Sequence, residues 1–208
     1  MRARLLEAAV RVLATDGRQA LSTRRLAAEV GTSTMAVYTH FGSMDRLHHE
    51  VRRDGFARLC AEIDALPQTK DPVADLAALT LTYVDTGAGD PQLYRAMFTD
   101  RSPAEDDEGK GVFERFLTAV RRCIEVDRFD AAEGTLTRAW AAQIWVAAHG
   151  MITLAHAEML PESANRFLVT DMICRLAVGY GDRPVAAQAS VQQGGWQNRR
   201  APRQPSND

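Results

Sequence analysis

The 208-residue chain predicts an all-α fold. Two observations carry that expectation. Apolar residues recur at intervals of three and four along the segments that Gly and Pro mark off, the spacing that lines one face of a helix. Residues 22–41, STRRLAAEVGTSTMAVYTHF, then read as two short helices meeting at a tight turn, as a helix-turn-helix requires.

The first helix is expected over residues 2–15, with Leu5, Leu6, Ala9, Val10 and Leu13 as its apolar stripe and Gly17 at its end. Ser22 has the side chain to cap the second helix, residues 23–30, whose Leu26, Ala27 and Val30 share a face. Gly31 ends it, because glycine enters the left-handed conformation of a C-terminal stop without steric cost. Ser33 caps the third helix, residues 34–40, which turns Ala36, Val37 and Phe41 inward and Thr34, Met35, Tyr38 and Thr39 outward. Hydroxyls, a thioether and a phenol on an exposed helix face suit base edges and phosphates, so this element reads as a DNA-recognition helix.

A fourth helix is expected from the Ser43 cap through Leu47, Val51, Phe56, Leu59 and Ile63, stopping before Pro67. Running from the reading head into the rest of the chain, it is the expected lever between them. Later helices are expected over residues 73–85, from Pro91 through PQLYRAMF, over 112–125, over 132–159 and over 162–179. The helix over 132–159 carries Trp140, Ile144 and Met151 on one stripe and Trp145, Ile152, His149 and His156 on another, so it is expected to be buried nearly all round. Gly150 inside it suggests that another helix crosses closely there. The acidic segment DRSPAEDDEGKG, residues 100–111, reads as a solvated loop without the ligand spacing of a calcium site. The domains expected are a helix-turn-helix head, 1–46, a helical body, 47–182, and a tail, 183–208, without periodicity and without fixed structure.

Charge is divided along the chain. Residues 1–60 carry ten Arg against six acids, a net +4, whereas residues 61–182 carry a net −9 within a total of −2. A basic head on an acidic body orients a molecule on a polyanion. No run of eighteen apolar residues marks a spanning helix and MRARLLEAAV starts an amphipathic helix, so no membrane association and a cytoplasmic location are expected. Cys60, Cys123 and Cys174 stand far apart with no CxxC or His/Cys clustering and are assigned no chemistry. No Gly-rich phosphate loop, HExxH, nucleophile elbow or clustered acid pair is present. The chain is accordingly expected to be no enzyme and to need no cofactor or metal.

With these residues in view, LAAEVGTSTMAVYTHFGSMDRL resembles the TetR-type transcriptional regulators, whose signature is an alanine-rich second helix, a glycine turn and a recognition helix ending in Tyr-x-His-Phe. LLEAAVRVLATDG, residues 5–17, looks like the first helix of that family. The resemblance implies DNA contacts from Thr23 and Arg24 at the start of the second helix and from Thr34, Met35, Tyr38, Thr39 and His40 on the third. Arg24 is the candidate for bidentate guanine recognition, with Tyr38 and His40 on phosphates. Met44 departs from the family, which commonly has Lys there, and lowers the expected phosphate affinity.

Further along, the pattern Trp145-x-x-x-His149-Gly150 is similar to the Trp-x-x-x-His-Gly (WHG) class of C-terminal domains in these regulators. It implies a body that binds a ligand and forms a homodimer. The expected function is a regulator, most often a repressor in this family, released from palindromic double-stranded operator DNA by a small, largely apolar effector. Tyr83, Met97, Phe98, Phe116, Trp145 and His149 are its expected ligand wall. The alternatives are a regulator acting mainly through protein contacts with a weak DNA head and, last in order, a helical enzyme.

Overall fold

A computed structural model describes residues 1–98, 108–130 and 134–200. Helices α1 (Arg2–Asp16), α2 (Thr23–Val30), α3 (Thr34–Phe41), α4 (Met44–Asp64), α5 (Pro72–Gly89), α6 (Pro91–Phe98), α7 (Glu108–Glu125), α8 (Gly134–His156), α9 (Glu162–Gly179) and α10 (Pro184–Arg200) account for the regular structure, with one 3₁₀ turn at Arg18–Ala20. Most of the acidic segment expected as a loop lies outside the described residues, although residues 108–111 open α7.

The helices form two compact units. The first joins Met1–Arg58 to Gly89–Gly109, and the second joins Leu59–Ala88 to Lys110–Asp208. The boundary expected after residue 46 would have put α6 with the body, whereas α6 groups with the head. α4 contributes residues to both units.

The head is held by small and branched side chains drawn from four helices. Leu5, Ala8, Ala9, Val12 and Leu13 of α1 meet Leu26 and Ala27 of α2, Val37 and Phe41 of α3, and Leu47 and Val51 of α4. Its helix ends are satisfied as the serines foretell. Ser22 Oγ accepts from Arg25 N at 3.2 Å, Ser33 Oγ from Ala36 N at 3.2 Å, and Ser43 Oγ from Arg46 N at 3.1 Å. Each such cap contributes about 1 kcal/mol. Gly31 is in the left-handed conformation at the end of α2, and Thr32 N donates to Ala27 O at 2.8 Å.

In the second unit the helix buried all round is α5. Every residue from Pro72 to Val84 is buried, including Asp75, Thr80 and Thr82. Its polar groups are paired: Thr80 Oγ1 donates back to Leu76 O at 2.8 Å, while Asp75 accepts from Thr69 and from Arg122 at 2.8 Å. This corrects the expectation for α8, which buries one stripe, Thr137, Trp140, Ala141, Ile144, Ala148 and Ile152, and leaves Val146 65% exposed. Among the described residues nothing lies within 4 Å of a Cβ placed on Gly150, so no described helix crosses closely there.

The second correction concerns the tail. Residues expected without order form α10, which buries Ala187, Ser190 and Val191. It crosses α5 so closely at Gly194 that a Cβ there would collide with Ala74 O and stand 2.8 Å from Ala77 Cβ. Its inward positions follow a helical period of small residues, 187, 190, 191 and 194, which a search for large apolar stripes passes over. A polar hub fixes it. Arg128 donates to both carboxylate oxygens of Asp182 at 2.8 and 2.7 Å, to Asp71 at 3.0 Å and to Ser190 Oγ at 2.9 Å, and Ser190 donates to Asp71 at 2.6 Å.

Candidate nucleic-acid interface and effector cluster

The recognition helix presents what its sequence implies. Met35 is 71% and Tyr38 48% exposed, with Thr34 and Thr39 beside them, while Val37 and Phe41 anchor the opposite face. Thr39 Oγ1 donates to Met35 O at 2.9 Å, which satisfies its hydroxyl within the helix. Thr23 and His40 are half-buried and Arg24 is exposed. Its neighbour Arg25 is engaged in the fold, with Asp16 at 3.3 Å and Glu29 at 3.7 Å. Met44 is half-buried against the head core, so its thioether packs where the family's Lys would stand.

Three further residues collect near the end of α3. Arg2, Arg46 and His49 join His40 around a cleft of about 440 Å³ floored by Phe41. Arg2 comes from the start of α1, with its guanidinium 5.3 Å from the Phe41 ring centre. Only the fold brings residues 2 and 49 together, so no local motif signals the cleft.

Of the six residues expected around a ligand, four meet in the second unit. Trp145 Nε1 donates to Tyr83 Oη at 3.1 Å, and that oxygen lies 3.5 Å from His149 Nδ1. The Tyr83 ring meets Phe116 edge-on at 5.5 Å, and Phe113 lies 5.6 Å from Trp145. Burial holds the His149 imidazole below its ordinary pKa, which favours the neutral form. One helical turn separates Trp145 from His149, so both reach Tyr83 from one face of α8. Further along α8, His156 Nε2 lies 2.9 Å from Gly87 O, where only a protonated ring nitrogen makes a hydrogen bond.

The other two residues belong to the first unit. Met97 is buried against Gly55, where a Cβ would stand 2.8 Å from its sulfur, and Met97 O accepts from Arg52 Nε at 3.0 Å. Phe98 packs on Phe56 and Tyr94 at 5.1 and 4.6 Å.

The cysteines are spread through the fold. Burial pushes the Cys60 and Cys123 thiols up, away from the reactive thiolate. Among the described residues no cluster of His, Cys, Asp or Glu is arranged to hold a metal ion, and no helix is long and apolar enough to cross a membrane.

A capped helix pair with an exposed, uncharged recognition face, carried by an all-helical body, defines a DNA-binding transcription regulator of the helix-turn-helix class. Residues 5–51 match the model of the bacterial regulatory proteins of the tetR family, and residues 76–175 match a tetracyclin repressor-like C-terminal domain. The nucleoid occlusion factor SlmA of Escherichia coli O1:K1 is 30% identical over 146 residues, which span 67% of this chain and 74% of that protein. A structure from Rhodococcus sp. RHA1 of unknown function superposes with a TM-score of 0.76 at 25% identity, covering 87% of this chain and 95% of the other. The regulator FadR of Bacillus subtilis, solved with stearoyl-CoA, superposes with a TM-score of 0.68 at 14% identity over 86% of this chain and 99% of its own. The chain belongs to the TetR family of regulators.

Proposed function

We propose that this regulator is a homodimeric repressor that leaves a palindromic operator when a small, largely apolar molecule is received near Tyr83, Phe116, Trp145 and His149. The observation that carries the ligand reading is the Trp145–Tyr83–His149 array, three polar groups converging within an aromatic wall. Apolar walls with a few convergent polar groups are the general composition of small-molecule sites. The bound stearoyl-CoA of the FadR structure supports the same reading by analogy of fold.

Dimerisation is supported by the outward side of α8. Leu136, Val146 and Leu154 are exposed there, and Gly150 opens the surface between the last two. A second copy covering that stripe would remove its apolar area from water, and a two-fold dimer matches a palindrome. On the DNA side, Arg24 reads a base and Thr34, Met35, Tyr38, Thr39 and His40 line the groove. α4, with residues in both units, is the proposed lever.

A mobility-shift titration on the promoter of its own gene tests the reading, with candidate effectors added. Retarded DNA of dimer stoichiometry that an apolar compound releases supports it. Binding by a monomer overturns the dimer, and affinity indifferent to every compound that binds Trp145 overturns the release mechanism.

A further inference from the structure

Resting on the DNA-binding reading, we infer that the recognition helix selects its operator through the C5-methyl group of a pyrimidine in the major groove, with Met35 as the reader and the Thr39 methyl beside it. The evidence is the inventory of what α3 can offer. Its sequence, TMAVYTHF, holds no Arg, Lys, Asn, Gln, Asp or Glu. Guanine is read by a paired contact from Arg or Lys, adenine by one from Asn or Gln, and the cytosine amino group by a carboxylate. α3 can make none of these, which leaves guanine to the exposed Arg24 of α2. His40, the remaining polar ring, is half-buried near the far end of the helix. The base feature that needs no hydrogen bond is the methyl group that thymine, and 5-methylcytosine with it, carries into the major groove.

The exposed face matches that feature. Met35 is the second residue of α3, in the N-terminal part of the helix, where base edges are met. It is 71% exposed, and its unbranched, polarisable thioether can settle against a methyl group. Thr39, also exposed, stands one turn further along the same face. Its hydroxyl donates to Met35 O at 2.9 Å, so its one O–H is spent inside the helix, and what remains for a base is a methyl group and an acceptor oxygen. Thr34 and Tyr38, the other exposed residues of α3, each bring one hydroxyl, which discriminates among bases less than a paired contact does. A single exposed apolar side chain is ordinary on a protein surface. Two apolar groups at i and i+4 on the reading face, with no paired donor to compete, form a surface that prefers methyl groups to polar edges. The net +4 of residues 1–60 attracts any duplex, and the methyl contact then sorts sequences.

The experiment selects binding sites for the full chain from a pool of random duplexes and measures affinity for the selected duplex by fluorescence anisotropy. In a second duplex deoxyuridine replaces thymidine throughout, which removes the thymine methyl groups and keeps every hydrogen-bonding edge. Burying one methyl group contributes about fourfold to an equilibrium constant, so the deoxyuridine duplex is expected to bind about fifteenfold more weakly when each of two half-sites loses one. Met35→Ala is expected to bind the thymidine duplex about as weakly as the unaltered protein binds the deoxyuridine one, and to lose most of the distinction between them. Thr39→Ser keeps the hydroxyl and removes only the methyl, and is expected to lose a smaller share. Both side chains are exposed, so the fold is expected to survive, and circular dichroism checks it. The two sources of the methyl group are separated by a second pool whose cytosines are methylated at C5. Thymine enriched at a fixed position in both pools assigns the contact to thymine, whereas methylated cytosine displacing thymine there assigns it to 5-methylcytosine.

Equal affinity for the thymidine and deoxyuridine duplexes overturns the inference and leaves the DNA-binding reading standing. So does a distinction that Met35→Ala keeps in full, because thymine methyl groups also alter the shape of the duplex, and a shape effect does not need Met35. Selected sites with neither thymine nor methylated cytosine at a fixed position overturn it equally. A silent Thr39→Ser removes Thr39 from the contact. If the unaltered protein enriches no duplex from either pool, the DNA-binding reading fails and the inference with it.

Discussion

Gly194 of α10 lies directly on the backbone of α5 at Ala74. A Cβ on Gly194 would collide with the Ala74 carbonyl oxygen and stand 3.1 Å from Ala78 N. Neither neighbour is the end of a flexible side chain, so the crossing has no means of yielding. Gly194→Ala is therefore expected to cost about 3 kcal/mol by overpacking, against the roughly 1 kcal/mol that Gly to Ala gains in an open helix. Urea denaturation measures the difference. A stabilised variant would show that α10 does not rest on α5.

The second prediction separates reading from gripping at the recognition face. Arg24→Ala is expected to cost about 1 to 3 kcal/mol of operator affinity and to relax the preference at one base position, whereas Tyr38→Phe weakens all sequences alike. Arg25→Ala mainly costs stability, because its guanidinium meets Asp16 and Glu29. Binding to a library of single-base operator variants decides between them. An unchanged profile for Arg24→Ala removes that residue from base reading.

His149 makes the body sensitive to acid. Its folded-state pKa is lowered by burial, so the stability it supports is complete above the ordinary imidazole value of about 6.5 and is lost as the pH falls from there toward the lowered value. Below both, the loss stops growing. Comparing denaturation midpoints of the unaltered protein and His149→Gln across that window is the measurement, and the variant is expected to show the shallower acid slope. Parallel slopes would show that His149 titrates alike in the folded and unfolded chain.

Val146 lies outward on α8, so replacing it should leave the fold of one chain alone and disturb only what covers it. Val146→Arg is expected to shift the sedimentation of the protein toward the monomer and to weaken operator binding while leaving the circular dichroism unchanged. A dimer that persists at the same concentration would place the interface elsewhere.

The head was legible because its signals are local. Ser22, Ser33 and Gly31 act within four residues of themselves, and each makes the hydrogen bond or adopts the conformation that its chemistry implies. The body was less so, since burial there depends on partners distant in sequence. α5 is short of charge and α8 rich in aromatics, yet α5 is the one enclosed, and α10 crosses it at Gly194 with Ser190 bonded to Asp71 just before it. Small residues carry little hydrophobic signal and gain their meaning only from what they approach. The candidate effector residues divided on the same ground: Trp145 and His149 share a helix face that periodicity reveals, while Met97 is claimed by Gly55, forty-two positions away.

The hub around Arg128 also bears on how the chain is made. Ser190 and Asp71 bond across 119 residues of sequence, and Asp182 joins them from the last loop before α10. Contacts of such separation close late in folding, and a chain emerging from the ribosome folds its early segments first. α1 to α3 hold one another through near neighbours and are complete while the rest is still being synthesised. α5, by contrast, has Ala74 synthesised more than a hundred residues before the Gly194 that crosses it, and waits with that side uncovered until α10 has been made. The interval before α10 arrives is the period when a nascent chain of this regulator is most open to capture by chaperones or to association with its own kind.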